Sequence, residues 1–195
     1  MGVFLTADTH FFHRNIIKFC TRPFNDVKHM NDTIVANWNK VVKPNDTVYH
    51  LGDFALTNDT NSLRSLILSL NGNIKLIPGD HDKSAMDVDC DGKITICDKI
   101  VEIKYKKNTI VLCHYPITYW AKSHYNSWHA HGHTHGGYSH HGKSTDVGVD
   151  AANNFTPISL KRFEEIMNWS FDNINKLKEP EKKPNSEQLS FKFKN

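Results

Sequence analysis

The 195-residue chain has only four cysteines, Cys20, Cys90, Cys97 and Cys113, and no CxxC pair. This scarcity excludes a cysteine-based zinc module and argues against an exported disulfide framework, so reduced thiols are expected. Long apolar runs are also missing, and nothing approaches the roughly 18 residues that a bilayer span requires. The N-terminal "MGVFLTADTH" has neither the basic residues nor the apolar stretch of a secretory signal. It matches a short myristoylation pattern, but it reads as a first strand, since burying Val3, Phe4 and Leu5 leaves no free arm for a lipid. These absences lead to the expectation of a cytoplasmic protein with no membrane contact.

Most of the chain also lacks an excess of either charge. The net charge of +3 resides in residues 176–195, where six lysines face three glutamates. The formally neutral remainder carries no strong nucleic-acid-binding signal. A domain over 1–175 is expected, followed by a Lys- and Pro-containing peripheral extension over 176–195. Within the extension, "LSFKFK" (189–194) alternates as an edge strand does.

What is present alternates between strand and helix patterns. "GVFLTAD", "DTVYHLGDF" and "NIKLIPGDHD" are apolar runs that each end in polar residues. Between them, Val27, Met30, Ile34, Trp38 and Val41 recur at helical spacing behind the N-capping candidates Asn25 and Asp26. "NSLRSLILSL" predicts a second helix. "KIVEIKYKKNTIVLCHYP" reads as a hairpin turning near Lys106–Asn108, and "STDVGVDAA" as a further strand. "SLKRFEEIMNWSFDNI" predicts a last helix with Ser159 as N-cap. The pattern implies a layered α/β fold with mixed sheets.

Five predicted strand ends carry metal-ligand side chains: Asp8 with His10, Asp53, Asp80 to Asp82, His114, and His133 with His135. Any one of these alone is most simply a turn former, a cap or a packed histidine. Together they are different, because strand C-termini in open α/β sheets converge on one crevice. Mixed carboxylate and imidazole sets suit zinc, iron or manganese. On extended chain, residues two apart project to one side, as Asp8 and His10 would, and likewise His133 and His135.

The ordered blocks "DTH" (8–10), "GD" (52–53), "GDHD" (79–82), "H" (114) and "GHTH" (132–135) resemble the calcineurin-like metallophosphoesterases. "RPF" (22–24), "WN" (38–39) and "YHLGDF" (49–54) look like a small single-domain branch of that superfamily. The resemblance implies an α/β/β/α sandwich of two mixed sheets with a two-ion site at the strand C-terminal ends. Asp8, His10, Asp53 and His135 would hold one divalent ion, with Asp53 bridging to a second held by Asp80, His114 and His133. It further implies a hydrolase in which a metal-bridging hydroxide attacks phosphorus in line. His81 would protonate the leaving oxygen, with Asp82 orienting its ring. The implied substrate is a phosphodiester, a small nucleotide or another phosphate ester, with His13, Arg14, Arg22 and His131 as candidate contacts.

Two departures from the family pattern stand out. Asp80 occupies a position where the family usually has Asn, adding a charge beside a phosphate and removing a donor. A non-catalytic metal- or phosphate-binding protein of the same fold is the alternative that this opens. After Asp53, "GDFALTN" lacks the further Asp and the Arg of the protein phosphatases, which favours a phosphodiesterase over a protein phosphatase.

Other segments carry competing signals. "GYSHHGKS" (137–144) matches a P-loop, but a strand rather than a helix is expected after it. "DVDCDGKITICD" (87–98) imitates a calcium loop without a following helix, and a hairpin turn is the simpler reading. Phe12, Tyr119, Trp120 and Trp128 are candidates for a base-binding wall or, more simply, for core packing. His129 shares the alternation of its neighbours, while His140 and His141 are expected to face water.

Overall fold

The structure is a computed structural model that describes residues 1–137, 142–151 and 154–178, with side chains to residue 169. The chain runs through β1 (Val3–Thr6), α1 (Ile16–Phe19), α2 (Val27–Val41), β2 (Thr47–His50), α3 (Thr60–Ser69), β3 (Asn73–Leu76), α4 (Lys83–Asp87) and β4 (Ile94–Ile96). It continues with β5 (Ile100–Tyr105), β6 (Asn108–Cys113), β7 (Trp128–His131), β8 (Ser144–Asp146), β9 (Ile158–Ser159) and α5 (Leu160–Lys178).

Two mixed sheets result. One has the order β4-β3-β2-β1-β9, and the other β5-β6-β7-β8. β1 to β4 are mutually parallel because helices return the chain between them, while the short β9 lies antiparallel to β1. In the second sheet, β5 and β6 form the expected hairpin, and β7 and β8 extend it in parallel.

The helices start and pack for local reasons. The Asp26 side chain accepts the amide of His29 at 2.8 Å, and Met30, Ile34 and Trp38 are buried one turn apart. Asp59 caps α3 in the same way through Ser62 at 3.0 Å. The Ser159 hydroxyl accepts the amide of Arg162 at 3.2 Å, as the sequence predicted. Met30, Ile34, Trp38, Leu63 and Ile67 pack on Val48, Ile74 and Leu76 of the first sheet. A second cluster joins Leu5 and Ile77 to Ile110, Leu112, Trp128 and Ala130 of the other sheet, with Phe163 and Met167 from α5. Each such side chain removed from water contributes about 1.5–3 kcal/mol, which fixes the frame that carries the polar strand ends.

The histidine-rich stretch begins as β7, so that His133 and His135 follow a strand end as expected. Several readings change. The strand read in "STDVGVDAA" ends at Asp146, after which Gly148 bridges to Ala7. The 87–98 segment is a connection from α4 into β4, parallel to β3, and not a hairpin turn. Its Asp91 pairs with Arg64 at 2.7 Å. The 175/176 boundary falls inside α5. Residues 179–195, including "LSFKFK", and 138–141, including His140, His141 and much of the P-loop match, lie outside the described residues. Among the described residues, no helix is long and apolar enough to cross a membrane.

Candidate metal centre

The C-terminal ends of β1, β2 and β3 meet those of β6, β7 and β8. Ligand atoms of Asp8, His10 and His135 lie within 4.8 Å of one another, as do those of Asp80, His114 and His133, and those of Asp8, Asp53 and His114. Asp53 joins the groups, with Oδ2 3.4 Å from His10 Nε2 and Oδ1 3.7 Å from His114 Nε2. His133 Nδ1 lies 3.7 Å from Asp80 Oδ2 and 3.2 Å from His114 Nε2. The structure thus brings together all seven residues that the sequence nominated as ligands.

The backbone route differs from the extended chain expected. Asp8, His10, Asp53, His133 and His135 all have positive φ, from 48° to 70°. This left-handed region costs a non-glycine residue roughly 1–2 kcal/mol, and such strain concentrates at functional sites. Hydrogen bonds hold the turns in place. The amides of Asp8 and His10 donate to the carbonyls of Gly52 and Asp53, each at 3.0 Å. Close approach demands glycine at position 132, where a Cβ would lie 2.5 Å from that of Ala7 and 2.6 Å from Asp8 Oδ2.

The electrostatics are compatible with divalent cations. Asp8, Asp53 and Asp146 are buried near one another, and the Asp150 side chain is only 8% exposed. Burial, reinforced by Asp146, pushes the Asp8 carboxyl well above its ordinary range. Burial together with neighbouring His135 lowers His10 to about 2, so its ring is neutral and has a lone pair to give. His10 Nε2 is buried without a hydrogen-bond partner among the described residues. An orphaned imidazole nitrogen facing a carboxylate, beside crowded buried acids, suits divalent cations with nitrogen and oxygen ligands.

The remaining nominated residues divide. The His81 amide donates to Asp53 Oδ1 at 3.0 Å, and its exposed ring lies 5.7 Å from that of His10. His13 Nδ1 stands 3.1 Å from His10 Nδ1, at the mouth of the site. Arg14 is exposed, with no bond to the centre among the described residues. Asp82 has a different role from the one expected. Its buried carboxylate accepts the amides of Asp53 (2.8 Å), Phe54 (2.7 Å) and Gly79 (2.6 Å), bracing two ligand loops rather than the His81 ring.

Arg22 also corrects the sequence reading. It is buried, and all five of its donors are used internally. Nε and one terminal nitrogen clamp Asp150 at 2.8 and 2.7 Å, and the other bonds reach the carbonyls of Asp8 and Thr9 and the Met30 sulfur. No donor remains for a substrate phosphate. His131 is fully buried, with Nδ1 2.9 Å from the Gly132 carbonyl. His129 is buried beside it, accepting the Ile117 amide at 3.2 Å and packing under Trp120. Trp128 and Phe12 pack in the cores, and Tyr119 is largely exposed, so these rings do not form one wall.

Sequence reasoning missed Asp146 and Asp150. Asp150 Oδ2 lies 2.7 Å from His135 Nδ1, and the bonds from His135 and Arg22 outweigh burial to hold its carboxyl below the ordinary value. Asp146 accepts the Thr134 hydroxyl (2.6 Å) and the Gly136 amide (3.0 Å), fastening the "GHTHG" turn. The signal was the run "DVGVD", whose two acids were absorbed into a predicted strand.

No protein-family model matches the chain. It is 37% identical over 166 residues to an uncharacterised protein of Methanocaldococcus jannaschii, MJ1445, covering 81% of this chain and 86% of that one. Among solved structures it is similar to AQ665 from Aquifex aeolicus, a protein of unknown function. That match has a TM-score of 0.66 and 29% identity, and covers 85% of this chain and 98% of the other. A nuclease MPE of Pseudomonas putida matches more distantly, with a TM-score of 0.44 and 18% identity over 68% of this chain and 61% of the nuclease.

Proposed function

We propose that this chain, which belongs to the family of the Methanocaldococcus jannaschii protein MJ1445, is a metal-dependent phosphoesterase acting on a phosphodiester or a small nucleotide. One observation carries this reading. The Asp53 carboxylate stands between His10 and His114, at 3.4 and 3.7 Å, and so joins two groups of potential ligands. Asp8, His10, Asp53 and His135 would hold one divalent ion, and Asp53, Asp80, His114 and His133 a second. Bound there, such a pair supplies positive charge for the phosphoryl oxygens and lowers the pKa of water.

The chain's own groups do the remaining work. Asp53 Oδ1 accepts the His81 amide, which anchors the His81 backbone, and the imidazole lies 5.7 Å from the ring of His10. From there His81 donates a proton to the leaving oxygen, and its exposure lets it recover one from solvent. A cleft of about 540 Å³ runs away from Asp80 and His81, lined by Thr57, Asn58, Thr60, Lys83 and Ser84. Leu56 adds an apolar patch, while the hydroxyl, amide and amino groups beside it offer the leaving group hydrogen bonds. Asp82 ties the Asp53 and Gly79 loops together by accepting an amide from each.

The test is hydrolysis of bis-p-nitrophenyl phosphate with added Mn²⁺, in the parent and in His81→Ala. The expected outcome is metal-dependent hydrolysis that falls roughly 10²–10⁴-fold in the variant while bound metal is unchanged. A metal-loaded parent inert toward this ester and a broad phosphate-ester panel would overturn the reading in favour of a binding protein.

A further inference from the structure

We infer that Tyr115 positions the Asp80 carboxylate and thereby sets the affinity of one cation site, the one formed by Asp80, His114 and His133. The inference rests on the two-ion reading above and concerns a residue that reading leaves without a role.

Tyr115 directly follows His114 at the end of β6. Its ring meets that of His114 edge-on at 4.8 Å and that of His133 at 5.0 Å, while its hydroxyl donates to Asp80 Oδ1. One side chain therefore touches every member of the group. The other acidic ligands are differently supported. Asp8 is buried and accepts the His133 amide at 2.9 Å, and Asp53 is buried and accepts the His81 amide at 3.0 Å. The Asp80 side chain is half exposed, and among the described residues its hydrogen bond comes from Tyr115 alone.

An exposed carboxylate samples several rotamers in water, and a cation that captures it must offset the lost freedom. Tyr115 removes that freedom in advance. By holding Oδ1, it turns Oδ2 toward His133, whose Nδ1 lies 3.7 Å away. One carboxylate oxygen is thus presented and the other is occupied. Partners behind a metal ligand typically change affinity 10–100-fold, and here the effect is confined to the group containing Asp80. Tyr115 acts through Asp80 and is a positioning residue.

The experiment is calorimetric titration of Mn²⁺ into chelator-stripped parent, Tyr115→Phe, Asp80→Ala and the double variant, with thermal melts confirming that each is folded. Phenylalanine keeps both ring contacts and loses only the hydroxyl; Tyr115→Leu repeats the test with the ring removed. The parent should bind two ions per chain. Tyr115→Phe should leave one binding constant unchanged and weaken the other about tenfold, and should add nothing in the Asp80→Ala background. Two unchanged constants, an equal loss at both sites, or a further loss in the double variant would overturn the inference while leaving the two-ion reading intact. A folded parent binding fewer than two ions would overturn that reading, and this inference with it.

Discussion

Asp150 Oδ2 lies 2.7 Å from His135 Nδ1, while Arg22 grips both oxygens of the same carboxylate at 2.7 and 2.8 Å. The pair commits one imidazole nitrogen to Asp150, and under the proposed two-ion reading the other would serve a cation beside Asp8 and His10. Such a carboxylate fixes ring orientation and raises ligand basicity.

Asp150→Asn is therefore expected to weaken one of the two metal-binding events about 10–100-fold and to leave the other intact. Calorimetric titration with Mn²⁺ checks this. Two unchanged constants would mean that Asp150 serves only to anchor Arg22.

Asp82→Ala is expected to be the most destabilising single change among the acidic residues of the site. It strands the amides of Asp53, Phe54 and Gly79, whose acceptor is a buried carboxylate. At about 1–3 kcal/mol for each unsatisfied buried donor, urea unfolding of metal-free protein should show a loss of roughly 3 kcal/mol or more. A loss below about 1 kcal/mol would place the support of these loops elsewhere.

Asp80→Asn is expected to exchange metal affinity for phosphate affinity. The amide ligates more weakly but is neutral and can donate to a phosphoryl oxygen. Second-site Mn²⁺ affinity should fall and KM for a phosphodiester should fall with it. Unchanged values for both would remove any special role for the aspartate.

His50 gives the metal-free fold a defined acid sensitivity. The Thr9 hydroxyl donates to the Phe54 carbonyl at 2.8 Å and so accepts from His50 Nε2 at 2.9 Å. Complete burial, aided by the proximity of His114, lowers His50 to about 3 from an ordinary 6.5. The folded state keeps this ring neutral while the unfolded chain protonates it. Its contribution is full above about pH 6.5 and is lost as pH falls toward 3, by up to about 1.4 kcal/mol per unit. His50→Gln should flatten the stability slope between pH 6.5 and 5 by about one proton. Parallel slopes for the two proteins would contradict this.

The parts of the site that could be read from the sequence are those where local pattern and chemistry coincide. Asp8, His10, Asp53, Asp80 and His114 each follow an apolar run, His133 and His135 stand in the ordered "GHTH" block, and the convergence of strand ends supplies the rest. The α2 stripe and the caps Asp26 and Ser159 were legible because both are local signals. Arg22 was not. Its partner Asp150 is 128 positions away, and nothing near "RPF" distinguishes a buried clamp from a surface cation. The left-handed turns at Asp8 and His133 were also hidden, since few non-glycine residues announce that conformation. The short β4, β7 and β9 gain their stability from neighbouring strands rather than from their own composition.

The central claim is that two cations joined through Asp53 enable phosphoester hydrolysis. The most direct test titrates Mn²⁺ into chelator-stripped protein while following bis-p-nitrophenyl phosphate hydrolysis. The account predicts no turnover without metal, and activity rising to a plateau as the second ion binds. Full activity in metal-free protein, or two bound ions with no hydrolysis of any phosphate ester, would contradict it.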